Sequence, residues 1–171
     1  ADVLFDWAIA CAEFAPIVFD PNIRPQVMSD REKYVAVVEK WVSISSVVKL
    51  SDDDCEWLYP GQSAESIAAR WLQGGVALVV VTRGADGLVG YTSDGAVEVG
   101  GQKISVVDTV GAGDTVGAIV VQGLITDGLM NLRGDVLKDV LHRAAVAAAI
   151  TCSRAGAQPP YAHEIRERLG N

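Results

Sequence analysis

The sequence predicts an α/β layer sandwich on a mainly parallel sheet, and three observations predict it. Short apolar runs alternate with longer segments of helical periodicity in the order strand, helix, strand, helix, strand, which is the βαβ pattern. The run VALVVVT, residues 76–82, is apolar on both faces, as a strand buried between two helix layers must be. Half of the 171 residues are hydrophobic, enough for a single domain to bury a core.

Each element has its own signal. APIVFDPN gives a short buried strand, Ile17 to Phe19, that stops at Asp20 because Pro21 cannot continue a ladder. Ser29 and Glu32 have capping-box spacing ahead of a helix that sets Tyr34, Val37, Val38 and Trp41 at helical intervals. SSVVKLS is a second strand, DDDCEWLYPG a helical turn ended by Pro60 and Gly61, and SAESIAARWLQGG a helix closed by glycines. After VALVVVT, the turns GADG and SDGA bracket LVGYT and AVEVG and predict a small antiparallel excursion. KISVV returns to a strand, DTVGAGD is a loop and TVGAIVVQGLI an apolar helix. A long Ala-rich helix, DVLKDVLHRAAVAAAITCSRAG, ends near Gly156, and AHEIRERL forms a polar terminal helix. Trp7, Trp41, Trp57 and Trp71 are expected to anchor the core.

Charge narrows the function classes. A formal charge of -8, with 22 acidic against 14 basic residues and no Lys/Arg cluster, disfavours nucleic acid and anionic membranes as partners. The apolar runs are far shorter than the ~20 residues of a membrane span, and the N-terminus lacks the basic region of a signal peptide. Cys11, Cys55 and Cys152 show no paired spacing, which fits a reducing cytoplasm better than a disulfide framework or a zinc knuckle. His142 and His163 have no Cys or Ser partner in a nucleophile motif and read as surface residues.

Chemistry concentrates in VVDTVGAGDTVGAIVV, residues 106–121. A Walker loop is excluded because no Lys follows the glycines, and a dinucleotide fingerprint because the third glycine, Gly117, comes one residue late. What remains is a glycine-bracketed turn, Gly111-Ala112-Gly113, whose amides could hold an anion at a helix start. Asp114 beside it is open to two readings: an N-cap without chemistry, or a general base taking the proton of a hydroxyl that attacks a terminal phosphate.

DTVGAGD resembles the signature of the ribokinase-like (PfkB) carbohydrate kinases, and the likeness runs into the helix with TVGAIVVQGL. FDPNIRP is similar to that family's Asp-x-Asn-x-Arg segment, VVKLSDDDCEWL to its later polar strand end, VVVTRGADGLVGY to its nucleotide-side strand and AAAITCSRAGAQPP to the helix and loop over the adenine. The variants DPNIRP and KLSDDD lean toward the fructokinase and 2-keto-3-deoxygluconate kinase branch.

The resemblance implies a ribokinase-like three-layer α/β/α sandwich and an ATP-dependent sugar kinase using magnesium. It makes Asp114 the base and Gly111, Ala112 and Gly113 the anion hole. It gives Asp20, Asn22 and Arg24 to substrate or phosphate, Arg24 otherwise being a surface residue after a turn. Ser51 and Asp54 fall where the family has Asn-x-x-Glu around magnesium and water, and are otherwise a helix cap. Thr82 and Gly84 are implied at the ATP phosphates and ribose, or else form a strand-exit turn, with Arg83 solvated between them. Asp108 and Val110, with Thr151, Gly156 and Pro160, correspond to a monovalent-cation loop that would hold K+, Gly156 also lying near the nucleotide or serving as a helix C-cap. The segment with the family's sugar-gripping Asp and small β lid has no counterpart here, so the chain resembles the C-terminal part as a single α/β domain, with any homodimer formed through a lid that it lacks. The alternatives are a non-catalytic nucleotide-binding module and a nucleoside kinase of the same family.

Overall fold

Strand β1 is only Val18–Phe19, half-buried, because Pro21 ends the ladder two residues later. It pairs in parallel with β2, Val47–Ser51, in the register Val18↔Val47 and Phe19↔Val48. The computed structural model describes residues 2–27 and 30–170. Helix α1 is Asp2–Ala12 and α2 is Arg31–Val42. Of the expected capping box before α2, Ser29 lies outside the described residues. Asp30 caps the helix by accepting the Lys33 N–H at 3.1 Å. Tyr34 and Trp41 are half-buried and Val38 and Val42 buried, but Val37 is 47% exposed, because the inward stripe runs through Val35 instead.

Helix α3, Asp52–Leu58, and α4, Ala64–Gln73, follow as the pattern predicts. Then come β3, Leu78–Thr82, a 3-10 turn at Gly84–Asp86, and the hairpin of β4, Leu88–Thr92, and β5, Gly95–Val99. A two-residue connection at Ser93 and Asp94 makes that hairpin antiparallel. The five strands lie in the sheet order β1-β2-β3-β4-β5. Helix α5 is Ala112–Asp127, α6 is Gly134–Cys152 and α7 is Ala162–Leu169.

The contacts divide the chain into two units, Ala1–Val81 with Tyr91–Gly95, and Thr82–Gly90 with Ala96–Asn171. In the first, Val48, Leu50, Val79 and Val81 join Trp71, Ile67, Leu58 and Val38 in one core, while Val47, Leu78 and Val80 are equally buried on the other face of their strands. Burial on both faces is what the apolar run VALVVVT requires. In the second unit, α5 and α6 approach closely at Gly123, where a Cβ would meet Val140 Cγ2 at 2.8 Å. Ile165 of α7 closes on Val146 and Ala147 of α6.

Three expectations need correction. KISVV forms no strand: Val106 and Val107 are exposed, and the N–H groups of Val107 and Asp108 donate to the Cys152 carbonyl, at 2.8 and 3.2 Å, instead of to a ladder. The Ala-rich helix stops at Cys152 with Ser153 as its cap, so Gly156 is not the C-cap. Of the tryptophans, Trp71 is a core anchor and Trp41 and Trp57 are half-buried against aromatic neighbours, but Trp7 is 64% exposed. Phe5 and Ala8 take the buried face of α1, leaving Val3, Leu4 and Trp7 outward.

The cysteines are free thiols. Burial, then the charges of Asp54 and Asp52, push the Cys55 thiol from its ordinary 9.0 up to about 12. The smaller thiolate fraction predicts that iodoacetamide alkylates Cys55 at least about tenfold more slowly in the native protein than after unfolding at pH 8. Equal rates in the two states would contradict this burial.

Candidate active site

The candidate residues fall into two groups, one in each unit. The first follows the carboxyl ends of the parallel strands β1 and β2, the place where open α/β sheets bind ligands. Asp20 leaves β1 and accepts the Asn22 N–H through Oδ1 at 3.0 Å, closing a turn in which Asn22 has φ +44. Asn tolerates this left-handed conformation better than most residues. Arg24 is exposed and donates to the Ile23 carbonyl at 2.9 Å. Tyr34 Oη donates to the Pro21 carbonyl at 3.1 Å. Its phenol is raised above 10.0 by burial and then by Asp54, with Arg24 opposing and Asp20 adding, so these groups share one electrostatic environment.

Ser51 and Asp54 form a reciprocal capping box: Ser51 Oγ accepts the Asp54 N–H at 3.0 Å, and Asp54 Oδ2 accepts the Ser51 N–H at 3.0 Å. One Asp54 oxygen is thus committed to the cap. Sequence reasoning missed Lys49, which is 6% exposed and pairs with Asp20 at 2.8 Å. The signal was a lone lysine inside the apolar strand VVKLS.

The second group surrounds the start of α5. Gly111, at φ +82, is the N-cap, which places Asp114 in the first helical turn and not at the cap. Asp114 is exposed, and its carboxylate makes no hydrogen bond or ion pair among the described residues. The Ala112 N–H donates to the Thr109 carbonyl at 3.2 Å, so that amide is occupied, whereas those of Gly111, Gly113 and Asp114 have no acceptor among the described residues. These amides lie at the positive end of a 16-residue helix, where negative charge is favoured.

Residues far apart in sequence fasten this loop. Asp108 Oδ1 accepts the Val110 N–H at 3.1 Å and Oδ2 the Gly156 N–H at 2.9 Å. Thr115 and Thr151, both buried, share a hydrogen bond of 2.9 Å, and Thr115 Oγ1 lies 2.9 Å from the Gly111 carbonyl. Asp108 is thus tied to Gly156, and Thr151 to Thr115 in the first turn of α5. Elsewhere in the unit, Thr82 ends β3, Gly84 begins the 3-10 turn at φ +52, and Arg83 is ion-paired to Glu98 instead of solvated. His142 and His163 are exposed, His163 stacked on Tyr161.

The donors from Val110, Gly156 and Thr109 hold the Asp108 carboxyl below its ordinary 3.8. A depressed native value contributes stability above the unfolded pKa and loses it as pH falls through the native one. The Asp108–Gly156 tether is therefore expected to hold at neutral pH and release below 3.8, read from the Gly156 amide chemical shift. A midpoint above 3.8 would contradict the assignment.

The sheet with polar residues at its strand ends and the glycine-capped start of α5 together define an α/β protein of layered architecture. The pfkB family carbohydrate kinases match residues 2–164, and the chain belongs to that family. It is 42% identical over 117 residues to a fructokinase of Rhizobium leguminosarum bv. trifolii, covering 68% of this chain and 36% of that one. It is 31% identical over 148 residues to the 2-dehydro-3-deoxygluconokinase of Escherichia coli K12, covering 84% and 46%. A crystal structure of a fructokinase double mutant from Vibrio cholerae, in a fructose-, ADP- and potassium-bound form, superposes with a TM-score of 0.79 at 27% identity over 91% of this chain and 50% of that one. The chain thus spans half or less of the length of these relatives, and its fold is the ribokinase-like one. Among the described residues no helix is long and apolar enough to cross a membrane.

Proposed function

We propose that the protein is an ATP-dependent sugar kinase whose acceptor is fructose or, as the next choice, a 2-keto-3-deoxy sugar acid. The observation that carries this reading is the Asp114 carboxylate, exposed and without a partner among the described residues, in the same helical turn as the amides of Gly113 and Asp114 itself, which have no acceptor among them either. Those amides and that of Gly111 would stabilise the charge of the phosphoryl group in flight, while Asp114 accepts the proton of the attacking hydroxyl. Ala112 contributes through the backbone shape of the turn. Thr82, Gly84, Ser51 and Gly156 serve the nucleotide, and Asp20, Asn22 and Arg24 bind phosphate or sugar oxygens, Arg24 with its planar fork of donors.

Among the described residues no three His, Cys, Asp or Glu side chains are grouped to hold a metal. Magnesium would come as the partner of the ATP phosphates, and Asp54 would be the carboxylate that helps to hold it. When bound, it neutralises phosphate charge. A potassium ion would be held by carbonyls of the 108–110 and 151–156 segments, which Asp108 fastens together. The fructose and potassium in the Vibrio cholerae structure and the naming of the Rhizobium and Escherichia coli relatives support these choices. The negative charge and the free cysteines suit a cytoplasmic enzyme without a nucleic-acid partner.

The test is a coupled ADP-release assay on the gene product at its full encoded length, with fructose, 2-keto-3-deoxygluconate, ribose and adenosine as acceptors. Turnover on fructose or the keto-deoxy acid is expected. Preference for adenosine would assign a nucleoside kinase, and ATP binding without turnover a nucleotide-binding module.

A further inference from the structure

We infer that Lys49 is a positioning residue for the substrate-binding segment Asp20–Arg24, an inference that rests on the binding role proposed above for Arg24. The register explains how it gets there. Val18 stands opposite Val47 and Phe19 opposite Val48, so one step further Asp20 and Lys49 lie side by side on the same face of adjacent strands. Lys49 is 6% exposed and its Nζ is 2.8 Å from Asp20 Oδ2. Its strand neighbours Val47, Val48 and Leu50 are all fully buried.

Apolar side chains at both positions would stabilise the fold about as well as the ion pair does, because desolvation offsets most of the Coulombic gain. What the pair adds is direction. With Oδ2 held by Lys49, Oδ1 of Asp20 faces the Asn22 N–H at 3.0 Å and fixes Asn22 at φ +44, the single left-handed residue other than glycine among the described residues. That turn sets the path of the chain into Arg24, two residues on. Lys49 touches neither sugar nor nucleotide in this scheme; it acts through Asp20 and the turn.

The experiment compares the parent with Lys49→Met, Lys49→Arg, Arg24→Ala and the Lys49→Met/Arg24→Ala pair in the gene product at its full encoded length. Steady-state kinetics on fructose and amide hydrogen exchange at Asn22 are both read. Lys49→Met should speed Asn22 exchange and lower kcat/KM about 10–100-fold. Lys49→Arg should restore most of both, and the pair should lose no more than Arg24→Ala alone. Where Lys49→Met does not fold, Lys49→Gln, which keeps a donor without the charge, takes its place.

Unchanged Asn22 exchange, or losses that simply add in the pair, would overturn the inference. If the parent phosphorylates no acceptor, the proposed function fails, and faster or unchanged exchange at Asn22 still decides whether Lys49 sets the turn.

Discussion

Asp114→Asn lowers turnover by about 10²–10⁴-fold and leaves the fold and ATP affinity close to those of the parent. The size follows from the loss of a proton acceptor. An amide of the same shape cannot take the hydroxyl proton, while under the proposed function the amides of Gly111, Gly113 and Asp114 would still receive the phosphate. The preserved fold follows from the structure: the carboxylate is exposed and holds nothing among the described residues. A helix-cap role would give the opposite pattern, with stability falling by about 1 kcal/mol and turnover little changed. Steady-state kinetics, urea unfolding and nucleotide titration on one preparation separate the two.

Gly111→Val destabilises the protein by about 2–5 kcal/mol, the sum of two separate costs. Gly111 has φ +82, and a side chain in the left-handed region costs about 1–2 kcal/mol. A Cβ would also sit 2.9 Å from Ala157 Cβ and 3.2 Å from its Cα, and overpacking of this kind costs about 1–3 kcal/mol. Ala157 lies in the segment fastened to the loop through Asp108 and Gly156, so it has little room to retreat. Turnover is expected to fall further than stability, because the first turn of α5 carries the free amides. Urea unfolding reads the first effect, and a Gly111→Val protein as stable as the parent would remove Gly111 from its role.

Much of this was legible in the sequence, and the misses have physical causes. Period and punctuation placed β2, β3, α4, the β4–β5 hairpin and α7, because VVKLS, LVVVT and AHEIRERL carry their burial pattern locally. KISVV has the composition of a strand, but a strand needs a partner, and this segment finds the end of α6 instead. The Lys49–Asp20 pair spans 29 positions and the Asp108–Gly156 contact 48, so neither can be read from neighbours in sequence. At the loop itself, DTVGAGD left Asp114 open as the N-cap of α5, and the structure gives that cap to Gly111. The choice depended on the left-handed glycine and on Ala157 beside it, a contact made only by the folded chain.

The most direct test of the central claim, phosphoryl transfer from ATP to a sugar hydroxyl, is the ³¹P NMR spectrum of the gene product at its full encoded length, incubated with ATP, magnesium and fructose. The account predicts a sugar phosphomonoester resonance that grows in step with ADP and is absent with Asp114→Asn. Inorganic phosphate as the sole product, or a phosphomonoester that forms equally well with Asp114→Asn, would contradict it.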